Sequence, residues 1–118
     1  MNQQLRSTEE VFNHHVQALV ARNLPEILMD YTENSILITP QVVARGKDVI
    51  GELFEQLLRD LPGMKLSART RIIEGEIVFV EWTADSQLNS ISDGVDTFVI
   101  RDGYIQAQTA RFTLVPKV

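Results

Sequence analysis

The chain has 118 residues and a formal net charge of −5, with 11 Lys and Arg against 16 Asp and Glu. This length supports one hydrophobic core, and we expect residues 1–118 to form a single domain. The acidic balance argues against nucleic acid binding, which needs clustered Lys and Arg. Cysteine is absent, which excludes disulfides and thiolate chemistry. Because no apolar run is long enough to cross a bilayer and the N-terminus lacks a secretory signal, we expect a cytoplasmic protein without membrane contact.

Three helices are predicted in the first half of the chain. Ser7 precedes an acidic turn and apolar residues at helical spacing, which predicts a first helix ending near Asn23. A second, short helix follows at once, so the two should form a helical hairpin. A β-branched segment at residues 35–39 predicts a strand. Apolar residues at spacings of three and four then predict a third helix, which begins near residues 47–48 and stops at residues 61–63.

From residue 65 onward the hydrophobic period changes to two, which indicates antiparallel strands. We place four strands at residues 66–74, 77–86, 94–101 and 104–115, and turns at residues 75–76, 88–93 and 102–103. The last of these turns is an Asp-Gly pair, the strongest hairpin signal in the chain. The residues alone therefore predict an α+β fold, in which amphipathic helices cover one apolar face of a sheet.

Two segments give the chain a recognisable pattern. They are RGKDVI at residues 45–50, which leads into the third helix, and GVDTFVIRDG at residues 94–103, which forms a hairpin. With the order of the elements, they resemble the SnoaL-like, ketosteroid-isomerase-like branch of the nuclear transport factor superfamily, which has a cystatin-like α+β cone. The resemblance covers nearly the whole chain. It implies three N-terminal helices on a strongly curved, mostly antiparallel mixed sheet (α-α-β-α-β-β-β-β), a central cavity closed by the helical hairpin, and a homodimer formed through the outer sheet face.

Asp96 alternates with Phe98 and Ile100, so it shares a strand face with large apolar groups. If that face borders the cavity, desolvation should raise the pKa of Asp96 and could keep it protonated as a hydrogen-bond donor. The resemblance makes Asp96 the counterpart of the family's neutral carboxylic acid. The alternative is a structural aspartate that caps a backbone group or pairs with an arginine.

His15 is the second candidate catalytic residue. It lies three residues after Phe12 and four before Leu19, on or beside the buried stripe of the first helix. The resemblance places it where the family has an oxyanion-binding tyrosine, so it could donate a hydrogen bond to a carbonyl oxygen or act as an acid-base group. It could equally be a core histidine bonded to a backbone carbonyl, or a half-exposed one on the helix shoulder. His14 is expected to face solvent.

Six further side chains are candidate ligand contacts: Phe12, Leu19, Trp82, Phe98, Gln108 and Phe112. The resemblance directs the strand face of Gln108 and Phe112 toward the cavity, where an amide would be an adaptable polar contact. Gln108 could instead be a buried amide bonded to neighbouring side chains, and Trp82 could pack in the core rather than floor a pocket. The chain carries no metal-binding or cofactor-binding motif, and we expect neither a metal nor a cofactor.

Thr39 marks a departure from the family pattern, because the resemblance places a proton-transferring carboxylate there. A threonine cannot abstract an α-proton at ordinary pH, so the familiar isomerase reaction is not expected. Asp30 and Tyr31 are interpreted as the end of the second helix rather than as its replacement. The function we expect is a small-molecule-binding domain with an apolar cavity. The alternatives are a SnoaL-like cyclase or isomerase that uses acid-base chemistry on a carbonyl-containing apolar ligand, and an assembly module whose cavity is filled by side chains.

Overall fold

The computed structural model describes residues 5–118, which form an α+β fold of three helices and one seven-stranded mixed sheet. The elements are α1 (Thr8–Val20), α2 (Leu24–Leu28), β1 (Tyr31–Ile38), β2 (Val43–Arg45), α3 (Gly46–Asp60), β3 (Lys65–Glu74), β4 (Ile77–Asp85), β5 (Asn89–Arg101), β6 (Tyr104–Arg111) and β7 (Val115–Pro116). The strand order is β2-β1-β6-β5-β4-β3, and β7 pairs with β5. Only the β1–β6 pairing is parallel among the described strands. The predicted fold class is confirmed, and the sheet does not close into a barrel.

The helices begin where local sequence signals place them. The Ser7 hydroxyl accepts a hydrogen bond from the backbone N–H of Glu10, and the Glu10 carboxylate accepts one from the N–H of Ser7. This capping box gives partners to two backbone N–H groups that have no acceptor within the first turn of the helix. The side chain of Asn23 likewise accepts from the backbone N–H of Glu26 at the start of α2. Both helices of the predicted hairpin are thus fixed by their own first turns.

The sheet bends because its ladders are interrupted. The register shifts between β3 and β4, between β4 and β5, and between β5 and β6, which are sites where bulges increase the local twist of a strand. The predicted Asp-Gly hairpin joins β5 to β6, and Asp102 and Gly103 both have positive φ, as a tight hairpin turn requires. Helix α1 packs on β3, β4 and β5, whereas α3 packs on β1 and β2. The helices therefore cover different parts of the inner sheet face.

Four strand assignments differ from the prediction. Tyr31 begins β1 and pairs with Ile105 of β6, so it does not end α2. Residues 32–34, which follow Tyr31, are polar, so hydrophobic periodicity does not predict a strand there. Strand β5 begins at Asn89 rather than at residue 94, because the polar residues of the predicted turn pair with β4 and place Ile91 in the core. The predicted last strand is divided into β6 and β7, and β2 was missed because it has only three residues.

The core lies between the helices and the inner face of the sheet. Its fully or almost fully buried apolar members include Val11, Phe12, Ile27, Ile50, Phe54, Val78, Phe98 and Ile105. The predicted inward faces of α1, α3 and β5 all contribute to it. None of the helices within residues 5–118 has the length and apolar character needed to cross a membrane.

Candidate functional site

A cavity of about 610 Å³ lies between α1, α3 and the inner face of the sheet. Most of its wall is apolar. All eight side chains that the sequence singled out line it: Phe12, His15, Leu19, Trp82, Asp96, Phe98, Gln108 and Phe112. Strand alternation, helical spacing and the family resemblance together singled out residues that the fold brings to one cavity.

Asp96 occupies the cavity wall on β5 and is only 8% exposed. Its Oδ1 accepts a hydrogen bond from Trp82 Nε1 at 2.9 Å, and its Oδ2 accepts one from Gln108 Nε2 at 2.8 Å. Burial raises the pKa of Asp96 to about 6, although both hydrogen bonds act in the opposite direction by favouring the carboxylate. Asp96 is therefore mainly ionised at pH 7, whereas the sequence interpretation allowed a carboxylic acid that stays protonated.

Gln108 connects Asp96 to a residue that sequence analysis missed. Its Oε1 accepts a hydrogen bond from the hydroxyl of Tyr31, while its Nε2 donates to Asp96. Tyr31 is 1% exposed, and its burial raises the pKa of its hydroxyl well above the ordinary value. The one local signal for Tyr31 is its aromatic character, which favours a strand, but residues 32–34 separate it from the β-branched segment at residues 35–39.

His15 lies in the middle of α1 and is enclosed by aromatic rings. Its ring centroid lies 5.2 Å from that of Phe98, 5.7 Å from that of Phe54 and 6.1 Å from that of Tyr31. Nδ1 of His15 is buried and has no hydrogen-bond partner in the described part of the chain. Burial lowers the pKa of His15 to about 3, helped by the neighbouring His14, so the imidazole is neutral near pH 7. Within residues 5–118 His15 makes no hydrogen bond to a backbone carbonyl, and it is 3% exposed rather than half-exposed. A neutral imidazole has one donor and one acceptor.

His14 does not simply face solvent as expected. Its Nδ1 lies 2.7 Å from Oδ2 of Asp30, and its Nε2 lies 3.1 Å from Oε1 of Glu26. Asp30 is fully buried and also accepts a hydrogen bond of 2.7 Å from Arg6. The hydrogen bond to Asp30, followed by that to Glu26, raises the pKa of His14. This cluster ties α1 to α2 and the start of β1, and none of its members lines the cavity.

Thr39 borders the cavity, but its hydroxyl oxygen is used by the local turn. It accepts hydrogen bonds of 3.2 Å from the backbone N–H groups of Gln41 and Val42. Asp60 and Arg71 are the other lining residues with a formal charge, beside Asp96. Because Asp60 is partly exposed, Asp96 is the buried carboxylic acid of this wall within residues 5–118. No group of three His, Asp or Glu side chains in these residues is arranged to hold a metal ion.

The family comparison agrees with this geometry. A model described as the SnoaL-like domain matches residues 12–108. This range includes α1 from Phe12 onward, the cavity-lining strand face of β5 and Gln108. No curated protein matches the sequence.

Solved structures share the fold at low sequence identity. An NTF2-like protein of unknown function from Cytophaga hutchinsonii is 18% identical, with coverage of 96% of this chain and 95% of that chain and a TM-score of 0.76. A candidate ketosteroid isomerase from Kribbella flavida is 16% identical, with coverage of 90% and 77% and a TM-score of 0.74. A candidate polyketide cyclase from Sinorhizobium meliloti is 10% identical, with coverage of 85% and 92% and a TM-score of 0.71. At these identities the likeness establishes the fold alone, and one fold carries many functions.

Proposed function

The chain belongs to the SnoaL-like domain family, and we propose that it binds a small, mainly apolar molecule whose polar group meets Asp96 and His15. The observation that carries this proposal is that Asp96 and His15, which are 8% and 3% exposed, line the same mainly apolar cavity of about 610 Å³. A mainly apolar cavity with a few polar side chains in its wall is the usual form of a small-molecule site. An assembly module with a cavity filled by side chains would not leave a space of this size.

The cavity suits a ligand of two or three fused rings. Its volume of about 610 Å³ lies inside the usual range for small-molecule sites. The apolar wall favours a hydrocarbon body, and the few polar side chains would select its orientation. Asp96 accepts hydrogen bonds when it is ionised, so it favours a hydroxyl or an acidic C–H group, whereas a neutral His15 can donate to a carbonyl oxygen.

Acid-base catalysis is a second candidate function, and the buried position of Asp96 favours it. A carboxyl group with a pKa of about 6 is a stronger base than an ordinary aspartate, yet remains mainly ionised at neutral pH. In such a reaction Asp96 would take a proton from a carbon beside a carbonyl group and return it to another carbon. A hydrogen bond from His15 would stabilise the charge that develops on the carbonyl oxygen. Asp96 would then supply the base that Thr39 cannot.

Binding can be tested with 2-tetralone, a two-ring ketone with acidic C–H groups, by following ¹H–¹⁵N NMR shifts. We expect shifts that map to the cavity, with a dissociation constant in the millimolar range or somewhat below, since small ligands gain roughly 0.3–0.5 kcal/mol per non-hydrogen atom. His15→Phe should weaken binding. Glu81→Gln is the matched control, because Glu81 lies on the outer face of β4 and bonds to Thr70. Shifts scattered over the outer surface would reject the binding proposal.

Catalysis can be measured separately as deuterium exchange at the α-carbons of 2-tetralone in D₂O. The protein should accelerate exchange, and the catalysed rate should rise with pH, reach half its maximum near pH 6 and level off above about pH 7, as Asp96 becomes ionised. Asp96→Asn should reduce the acceleration by 100-fold or more, in the range typical of a lost general base. Cavity binding with exchange no faster than in buffer would reject this second function and leave the first intact.

We also propose a homodimer formed through the outer face of the sheet. Support comes from Ile72 and Ile77, which are 55% and 49% exposed, and from the partly exposed Phe79 of the same region. Association would remove this apolar surface from water. Light scattering should give twice the monomer mass, and Phe79→Arg should give the monomer mass. A wild-type protein that is monomeric at all accessible concentrations would reject the dimer.

A further inference from the structure

We propose that Tyr31 is a positioning residue that acts through Gln108 to hold Asp96 in its ionised, proton-accepting state. The relay consists of two hydrogen bonds in series. Tyr31 donates to Oε1 of Gln108, and Nε2 of Gln108 donates to Oδ2 of Asp96. Three elements supply the three residues, namely β1, β6 and β5. The relevance of the relay to function rests on the proposed role of Asp96, but the relay itself exists in the protein without a ligand.

The direction of the relay follows from what each group can donate. A carboxylate only accepts hydrogen bonds, so an ionised Asp96 requires the NH₂ side of the Gln108 amide. The carbonyl side of that amide must then face Tyr31, whose hydroxyl can donate to it. The other oxygen of Asp96, Oδ1, accepts a hydrogen bond from Nε1 of Trp82, which can only donate. All four groups are satisfied together when Asp96 is ionised.

Protonation of Asp96 on the oxygen that faces Gln108 would require a different arrangement. A carboxylic acid that donates to Gln108 needs the carbonyl side of the amide, so the amide would have to turn by about 180°. Its NH₂ group would then face the oxygen of Tyr31, and the tyrosine hydroxyl would need another acceptor. Tyr31 is buried and its hydroxyl makes no second hydrogen bond within residues 5–118. Tyr31 therefore opposes the reversed amide and, through it, this protonated form of Asp96.

Other ionisable groups border the same cavity and must be separated from the relay. His15 faces it from α1, Asp60 from α3 and Arg71 from β3. His15 stays neutral over the range in which Asp96 titrates, because its pKa is lowered to about 3. Arg71 is held at the cavity edge by a 2.7 Å hydrogen bond to Asn13. A relay effect must therefore depend on Gln108, whereas a direct effect of any of these charges would not.

The test is an NMR titration of the Asp96 side-chain carboxyl carbon in the ligand-free protein. Tyr31→Phe should move the titration midpoint of Asp96 upward by about 0.5–1 pH unit. This is the size expected when one hydrogen bond that favours the ionised form is lost. Tyr104→Phe is the matched control, since Tyr104 is 40% exposed and does not line the cavity. Its midpoint should equal that of the wild type. A Tyr31→Phe protein that is folded and has an unchanged or lower midpoint would overturn the proposal.

A double-mutant cycle separates the relay from a direct effect of the tyrosine. Gln108→Met removes the amide, so Tyr31→Phe should have no further effect on the Asp96 midpoint in that background. An equal shift in both backgrounds would overturn the relay. The wild-type protein gives a measurement that needs no variant, because the side-chain NH₂ signals of Gln108 should shift with the midpoint of Asp96. NH₂ signals that stay constant through that midpoint would also overturn it. Since no ligand is used, failure of the ligand-binding experiment leaves these outcomes unaffected.

Discussion

Trp82 and Gly94 lie directly opposite each other on β4 and β5, and the indole ring of Trp82 covers the space that a side chain at position 94 would need. A Cβ atom at Gly94 would overlap with the carbon atoms of the ring. The same placement lets Nε1 of Trp82 reach Oδ1 of Asp96, two residues along β5. A glycine within a strand usually weakens it, and here it makes room for a group that holds Asp96.

Gly94→Ala should therefore displace the indole ring. We expect a loss of about 1–3 kcal/mol in the free energy of unfolding, the usual cost of forcing extra atoms into packed surroundings. Trp82 is the one tryptophan of the chain, so its fluorescence reports its own surroundings, and its emission should shift to longer wavelength.

Gly75→Ala is the control for this substitution. Gly75 has a φ of +58° but open space around the added atom, so alanine there costs about 1–2 kcal/mol of backbone strain without touching the indole ring. Its emission should match that of the wild type. A Gly94→Ala protein with wild-type emission would show that the ring does not have to move.

The parts of the site that sequence analysis predicted are those governed by a local period. Asp96 and Phe98 share a strand face, and helical spacing places His15 on or beside the buried stripe of α1, so periodicity could predict these faces. The cavity that these residues line was implied only by the family resemblance. Tyr31 and residues 89–93 could not be assigned in this way. Their strands are polar in sequence and exist because they pair with β6 and β4, which is a long-range effect.

The partners of His14 were missed for a related reason. Helical spacing places a residue on a face, but it does not show what another element brings to that face. Asp30 reaches His14 only because α2 folds back on α1. The hydrogen bonds of Asp96 could not be predicted for the same reason, since Trp82 and Gln108 come from two different neighbouring strands.

Asp96→Asn should preserve the fold. The stability of this variant relative to that of the wild type should increase as the pH rises. The folded-state pKa of Asp96 is raised from 3.8 to about 6 by burial. The wild-type protein therefore loses stability as the pH rises from about 4 through 6, because the buried carboxyl group must ionise. Asparagine does not ionise, so the free energy of unfolding of the variant relative to wild type should increase by up to about 3 kcal/mol over this range and stay constant above it.

The comparison can be made by urea denaturation between pH 3.5 and pH 8. Asp93→Asn is a suitable control, because Asp93 is an exposed residue of the same strand whose pKa is lowered by its hydrogen bonds to Thr113. The stability difference between Asp93→Asn and wild type should stay nearly constant above about pH 4, because a lowered carboxyl pKa changes stability only below the unfolded value of 3.8. A relative stability of Asp96→Asn that falls with rising pH would mean that an ion pair, rather than desolvation, dominates at Asp96.

His14→Gln should destabilise the protein at acidic pH and much less at alkaline pH. Hydrogen bonds to Asp30 and Glu26 raise the folded-state pKa of His14 above its ordinary value of 6.5. The stabilisation by protonated His14 is therefore complete below about pH 6.5 and is lost as the pH rises through the raised pKa. The difference in free energy of unfolding between wild type and variant should follow that course.

Urea denaturation from pH 5.5 to pH 9 measures this difference. Glu26→Gln removes the weaker of the two acceptors and leaves Asp30 in place, so the loss of stabilisation by His14 should move to lower pH. A difference between wild type and His14→Gln that grows with rising pH would contradict the predicted sign.

Phe54→Ala should lower the free energy of unfolding, because it removes a buried ring of α3 that packs against His15 and Tyr31. Phe54 is 6% exposed, and its ring centroid lies 5.7 Å from that of His15 and 5.8 Å from that of Tyr31. Removing a buried phenyl ring costs about 3–5 kcal/mol, and we expect the lower end because the space created joins an existing cavity. Val49→Ala on the same helix is the comparison, since Val49 is 39% exposed and should lose less than about 1 kcal/mol. Equal effects of the two substitutions in thermal or urea denaturation would mean that Phe54 is not packed against the cavity wall, because only a buried ring has contacts to lose on this scale.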